Sequence, residues 1–115
     1  MKYQGSCHCK ALTFSVMGDL THVIECNCSI CTRKGALHWR VPPEAVSITP
    51  SDIEMGSYSF GTFKVRHRFC PKCGIHLFVE GAGRPDSPVT VVNVRCLEGV
   101  DLSRLPVAHF DGRSL

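Results

Sequence analysis

The sequence predicts a mainly β domain held together by bound metal, and three observations carry that expectation. Short stretches alternate apolar and polar residues with the period of two that half-buried strands show. Glycine and proline punctuate these stretches at short intervals. Of the eight cysteines, all but Cys96 fall into tight groups: Cys7-His8-Cys9, Cys26-Asn27-Cys28-Ser29-Ile30-Cys31 and Cys70-Pro71-Lys72-Cys73. A chain of 115 residues is expected to form one domain, 1–115, whose core needs no disulfide staples.

Taken in order, Lys10 to Val16 sets Leu12, Phe14 and Val16 against Ala11, Thr13 and Ser15, and Gly18-Asp19 turns it. Thr21 to Cys26 reads as a second strand, delivering the central cysteines at its end. Ser29 to Lys34 reads as a single helical turn, with Ser29 as N-cap and Gly35 as its stop. Ala36 to Val41 alternates through Leu37, Trp39 and Val41 until Pro42-Pro43 ends it. Val46 to Thr49 and Tyr58 to Phe60 are short strands around a polar connector with Asp52, Glu54 and Gly56.

Lys64 to Phe69 places Val65, His67 and Phe69 on one face and Lys64, Arg66 and Arg68 on the other. Ile75 to Glu80 follows, so Cys70 to Gly74 lies at the tip of a hairpin, as in a zinc knuckle. Gly81 to Pro88 reads as a loop, and the β-branched stretch Val89 to Arg95 as a central strand. Asp101 to Leu105 reads as a helical turn before Pro106, and Val107-Ala108-His109-Phe110 follows.

Composition narrows the function. A net charge of +3, with 20% charged and 43% hydrophobic residues, is ordinary and too mild to indicate a nucleic-acid partner. No apolar run approaches the roughly 18 residues of a membrane span, and Met1-Lys2-Tyr3-Gln4-Gly5 has no apolar signal region. The expected location is therefore the reducing cytoplasm, where clustered thiols bind metal rather than pair as disulfides.

Structural zinc takes four thiolate or imidazole ligands, while catalytic zinc keeps one position open. The seven clustered thiols divide as four plus three. Cys7, Cys9, Cys70 and Cys73 make a closed set that ties the N-terminal region to the later hairpin, and Cys26, Cys28 and Cys31 remain as an open set. Spacing alone also allows Cys26 and Cys28 to share a metal with Cys70 and Cys73. The closed-plus-open division is preferred because it leaves a position for substrate.

The ordered motifs Gly5-Ser6-Cys7-His8-Cys9, Cys26-Asn27-Cys28-Ser29-Ile30-Cys31, Phe69-Cys70-Pro71-Lys72-Cys73-Gly74 and Val92-Asn93-Val94-Arg95-Cys96-Leu97 resemble one family over residues 5–110. It is the glutathione-dependent formaldehyde-activating enzymes, which include centromere protein V. The resemblance implies an Mss4-like, zinc-stapled β-sandwich of short antiparallel strands with few helical turns. It implies Zn2+ at a structural site of Cys7, Cys9, Cys70 and Cys73, and a catalytic metal at Cys26, Cys28 and Cys31.

An open three-thiolate zinc suits a substrate thiol, which loses its proton on ligation. The expected activity is that of a carbon–sulfur lyase, joining or cleaving a glutathione-like thiol and a small, formaldehyde-like carbonyl. Arg33, Lys34 and Arg40 follow the cluster and are candidates to meet substrate carboxylates, against the simpler reading of a solvated basic face. His67 is expected beside the Cys70/Cys73 knuckle as a hydrogen-bonded core residue, with proton transfer as the minor alternative, His8 at the surface, and Trp39 in the core with His38 nearer the three-thiol set. Cys96 reads as a buried small hydrophobe, with ligation of the second zinc as a minor alternative. The competing class is a non-catalytic zinc module that contacts phosphates through Lys64, Arg66 and Arg68. Against it, no aromatics interleave with those charges.

Overall fold

The computed structural model describes residues 1–49 and 54–114, so Asp52 of the expected polar connector lies outside the described residues. Two sheets carry the fold. The smaller one orders β1 (Lys2–Ser6), β2 (Thr13–Met17) and β5 (Val46–Thr49) with β2 in the middle. The larger one runs β10 (Val107–Phe110), β3 (Val23–Cys26), β4 (His38–Val41), β9 (Ser87–Asn93), β8 (His76–Arg84), β7 (Arg66–Phe69) and β6 (Gly56–Tyr58). Neighbouring strands pair antiparallel except β10, which lies parallel to β3.

Alternation decides which side chains meet between the sheets. Leu12, Phe14 and Val16 are buried as the pattern requires, and Phe14 meets Phe78 edge-on at 4.8 Å between ring centroids. Tyr3 meets Trp39 in the same way at 5.5 Å, so aromatic pairs join the two sheets at two points.

Period two on the large sheet also explains the residues that do not enter this core. Trp39, Val92 and Phe78 lie in one cross-strand row, and Arg40, Val91, Val79 and His67 lie in the next. The second row faces away from the small sheet. Val79 and Val91 are nevertheless buried, as is His38, so this outer face of the sheet is also covered.

One helix, α1 (Ser29–Lys34), follows β3 directly. Cys28 rather than Ser29 takes the N-cap position, without a side-chain capping bond. Gly35 ends the helix as expected, its φ of 67° being the left-handed conformation glycine adopts freely, and its N–H donates to the Cys31 carbonyl at 3.0 Å.

Several boundaries differ from the sequence reading. The segment Gly81 to Pro88 is not a loop: β8 runs on to Arg84 and β9 starts at Ser87. Gly81, at φ 83°, lies within a register shift between Val79 and Ala82, and Gly83 pairs with Pro88 beyond it. The strand expected over Val89 to Arg95 stops at Asn93, whose side chain accepts from the Arg95 N–H and starts a short 3-10 turn over Val94–Cys96. Lys2–Ser6 is a strand the alternation did not indicate. Arg68 is not free on its strand face, since Glu80 on β8 lies 3.4 Å away.

Candidate metal centres and their cavity

The structure brings the seven clustered sulfurs together as four and three, each set within 4.8 Å of its own members. In the first set, Cys7 and Cys9 come from the turn after β1, which closes with a bond from the Cys7 N–H to the Leu12 carbonyl at 3.1 Å. Cys70 and Cys73 come from the turn between β7 and β8, closed by bonds from Cys70 N–H to Ile75 O and from Gly74 N–H to Cys70 O. The Cys7–Cys9 and Cys9–Cys70 sulfurs stand 3.6 and 3.7 Å apart. Zinc–sulfur bonds of about 2.3 Å set the edge of a tetrahedron at about 3.8 Å, so the donor set fits that ion. Backbone hydrogen bonds from Cys9 and Ile75 pull the Cys73 thiol down to about 6, favouring the thiolate.

In the second set, Cys26 ends β3, Cys28 caps α1 and Cys31 lies within it. The N–H of Cys28 points at the Cys26 sulfur at 3.5 Å. Burial, followed by the neighbouring Cys28, pushes the Cys31 thiol up to about 12. Three sulfurs within 4.8 Å of one another form a donor set that one soft cation could share. Soft thiolates suit zinc, so this set fits it too.

Of the four-sulfur set, Cys7 lines a cavity of about 370 Å³ together with Lys34, His76 and Cys96. Cys28 and Cys31 line a cavity of about 420 Å³ together with His38, Arg40, Phe60 and His67. Its remaining wall is largely apolar, including Val79 and Val91 of the outer sheet row. Arg40 and His67 stand at opposite ends of that row, with β9 and β8 between their strands. At about 4.8 Å per strand this separates their backbones by about 14 Å.

His67 therefore belongs to the cavity wall rather than to the knuckle where sequence reasoning expected it. Phe60 stacks on its ring at 5.6 Å between centroids. Lys34, expected to face substrate carboxylates, turns inward instead. Its Nζ lies 3.0 Å from His67 Nδ1 and 3.2 Å from His76 Nε2. Burial lowers the Lys34 pKa. In its ammonium form Lys34 only donates, so both of these ring nitrogens then accept, which leaves the ring protons on His67 Nε2 and His76 Nδ1. Burial, reinforced by Lys34, lowers His67 to about 4 and His76 to about 3. His38 falls to about 4 for the same reasons, and its Nε2 is buried without a partner among the described residues.

The other candidates separate cleanly. Arg33 donates to the Ser29 carbonyl at 2.8 Å along α1. Trp39 packs in the core, and His8 is exposed. Cys96 is half-buried and donates to the His76 carbonyl at 3.5 Å. Burial and then the nearby Cys7 and Cys73 raise it to about 11, which puts it on the side of the four-sulfur set and not at the second metal. Sequence reasoning missed His76. It stands on β8 without a motif around it, and only the fold brings it to Lys34.

Fold and site together define a mainly β protein with two cysteine clusters that could hold metal ions, one of four sulfurs and one of three with two of its residues on a largely apolar cavity. The chain belongs to the family described as glutathione-dependent formaldehyde-activating enzyme, whose pattern it matches over residues 2–110. It is also similar to a Rhodobacter sphaeroides protein of known crystal structure, with 30% sequence identity and a TM-score of 0.76. That likeness covers 91% of this chain and 99% of the other. No described helix is long and apolar enough to cross a membrane.

Proposed function

We propose that residues 1–115 act as one zinc-dependent carbon–sulfur lyase domain that joins or cleaves a glutathione-like thiol and a small, formaldehyde-like carbonyl. Cys7, Cys9, Cys70 and Cys73 hold a structural zinc in this reading, and Cys26, Cys28 and Cys31 hold the catalytic one. The observation that carries it is the difference between the two sets: one gathers four sulfurs, and the other gathers three with Cys28 and Cys31 on the wall of a largely apolar cavity. Zinc held there supplies a position at which a substrate thiol gives up its proton. A cytoplasmic setting keeps such thiols reduced.

The residues around the cavity have separate tasks. In the joining direction the substrate sulfur bonds to the carbonyl carbon as the C=O π pair moves onto oxygen, which takes up a proton. The reverse reaction returns both. His67, with its proton held on Nε2 by Lys34, donates a hydrogen bond to that oxygen as negative charge builds on it. Phe60 keeps the ring in plane by stacking. Val79 and Val91 exclude water from the floor, which strengthens that hydrogen bond. Arg40, at the far end of the row, meets a carboxylate of the thiol substrate.

Calorimetry of the zinc-loaded protein with glutathione, run in two buffers of different ionisation enthalpy, tests the reading. Binding is expected to release a proton and to strengthen as pH rises toward the thiol's own pKa of about 8.5. S-methylglutathione, with no proton to lose, is expected to bind far more weakly. Equal affinity for the two ligands without proton release would shift the assignment to a non-catalytic zinc module.

A further inference from the structure

Residues 111–114 follow the matched family segment and reach back to the three-sulfur set. β10 runs alongside β3 until Phe110 stands opposite Cys26. The chain then folds over Asn27, the residue between Cys26 and Cys28. The Asn27 N–H donates to the Phe110 carbonyl at 3.2 Å, and its Nδ2 donates to Asp111 Oδ1 at 3.0 Å. Its Oδ1 accepts from the main-chain N–H of Arg113 at 2.9 Å. The second Asp111 oxygen accepts from Ser114 Oγ at 2.6 Å.

These bonds seat Gly112 against the cluster. A Cβ at this position would lie 2.7 Å from the Cys26 sulfur and 3.1 Å from the Cys28 Cβ. The Cys28 Cβ is fixed by the backbone, whereas the Cys26 sulfur swings about a single bond. A side chain at 112 is therefore relieved most cheaply by turning that sulfur away, which is the one motion that takes it out of the set.

We infer that residues 111–114 form a latch that positions the Cys26 sulfur for metal binding, with Asn27 as its catch and Gly112 as the surface pressed on the sulfur. The inference rests on the reading of Cys26, Cys28 and Cys31 as ligands. Groups that orient metal ligands from outside typically account for about 10- to 100-fold in affinity when removed. Asn27 and Gly112 take that role here by hydrogen bonding and by contact.

The test is metal stoichiometry and the rate of zinc transfer to a chelator, measured on the full chain. Gly112→Ala is expected to release the metal of the three-sulfur set about 10- to 100-fold faster, with the four-sulfur set still filled. Asp111→Ala adds no clash but removes the acceptor of Asn27 and Ser114, and is expected to move the rate in the same direction by a smaller factor. Asp111→Asn keeps an Oδ1 acceptor for Asn27 and should stay near the wild-type rate. Should Gly112→Ala fail to fold, the Asp111 pair decides. Wild-type release rates in Gly112→Ala or in Asp111→Ala would overturn the latch. A wild-type protein that holds a single metal would overturn the ligand reading and the latch with it.

Discussion

A single lysine sets the proton positions of two histidines, His67 on the wall of the cavity and His76 behind it. Lys34 Nζ stands within hydrogen-bond distance of both rings. The expected state is therefore neutral His67 with its proton on Nε2 and neutral His76 with its proton on Nδ1. Their pKa values of about 4 and about 3 lie below the ordinary 6.5. The sign follows from linkage. Above pH 6.5 neither the folded nor the unfolded rings carry a proton, and as pH falls the unfolded chain binds protons that the folded one refuses. The stability these rings allow is present above about pH 6.5 and is lost as pH falls toward about 4. Long-range nitrogen–proton NMR of the zinc-loaded protein reads both statements. His67 and His76 should each show a single tautomer, and neither should titrate between pH 8 and 5. A ring titrating near 6.5, or Nδ1–H on His67, would remove the hydrogen-bond role assigned to it.

At the scale of elements, the small sheet depends on close approach of β1 to β2. At Gly5 a Cβ would meet the Phe14 ring at 2.5 Å and the Cys96 carbonyl at 2.8 Å. Phe14 is pinned between sheets by Phe78, so it has no room to yield. Gly5→Ala is expected to cost about 1–3 kcal/mol as an overpacked core site, read from the urea midpoint at constant slope. A loss below about 0.5 kcal/mol would mean that β1 shifts freely.

Much of this level was legible in the sequence. Leu12, Phe14 and Val16 announce β2 because one of its faces is buried and the other is not. The cysteine groups announce their clusters because thiols paired at such short spacing are a recurrent metal-ligand pattern. β1 was not legible, since Lys2 and Gln4 face solvent and Gly5 offers no apolar side chain to count. The end of β8 was hidden by Gly81 and Gly83, which read as loop residues, whereas Gly81 lies in a register shift and Gly83 pairs with Pro88. The inward turn of Lys34 and the seat of Gly112 depend on partners far along the chain, His76 and Cys26, and no local pattern encodes them.

At the scale of the molecule, the two cysteine sets bear differently on the fold. The four-sulfur set joins the turn after β1, in the small sheet, to the β7–β8 turn of the large one. Cys7 and Cys70 are buried within it, so an empty set leaves buried thiols without a partner and the sheets without their tie. The three-sulfur set lies within the consecutive pair β3 and α1 and on a cavity, so emptying it unties nothing. If the ligand reading holds, the two metals differ in kind. Metal binding contributes on the order of 10 kcal/mol to folding in small zinc domains, more than most single domains have to spare. Cys70→Ser or Cys73→Ser is then expected to leave the chain unfolded or aggregated. Cys28→Ser or Cys31→Ser should keep a cooperative unfolding transition while zinc content falls from about two to about one per chain. A chelator should empty wild-type protein in two phases, the first without loss of far-ultraviolet circular dichroism and the second together with it. A Cys70→Ser protein that unfolds at the wild-type midpoint, or a first phase that already melts the sheets, would sink the division into structural and open sites.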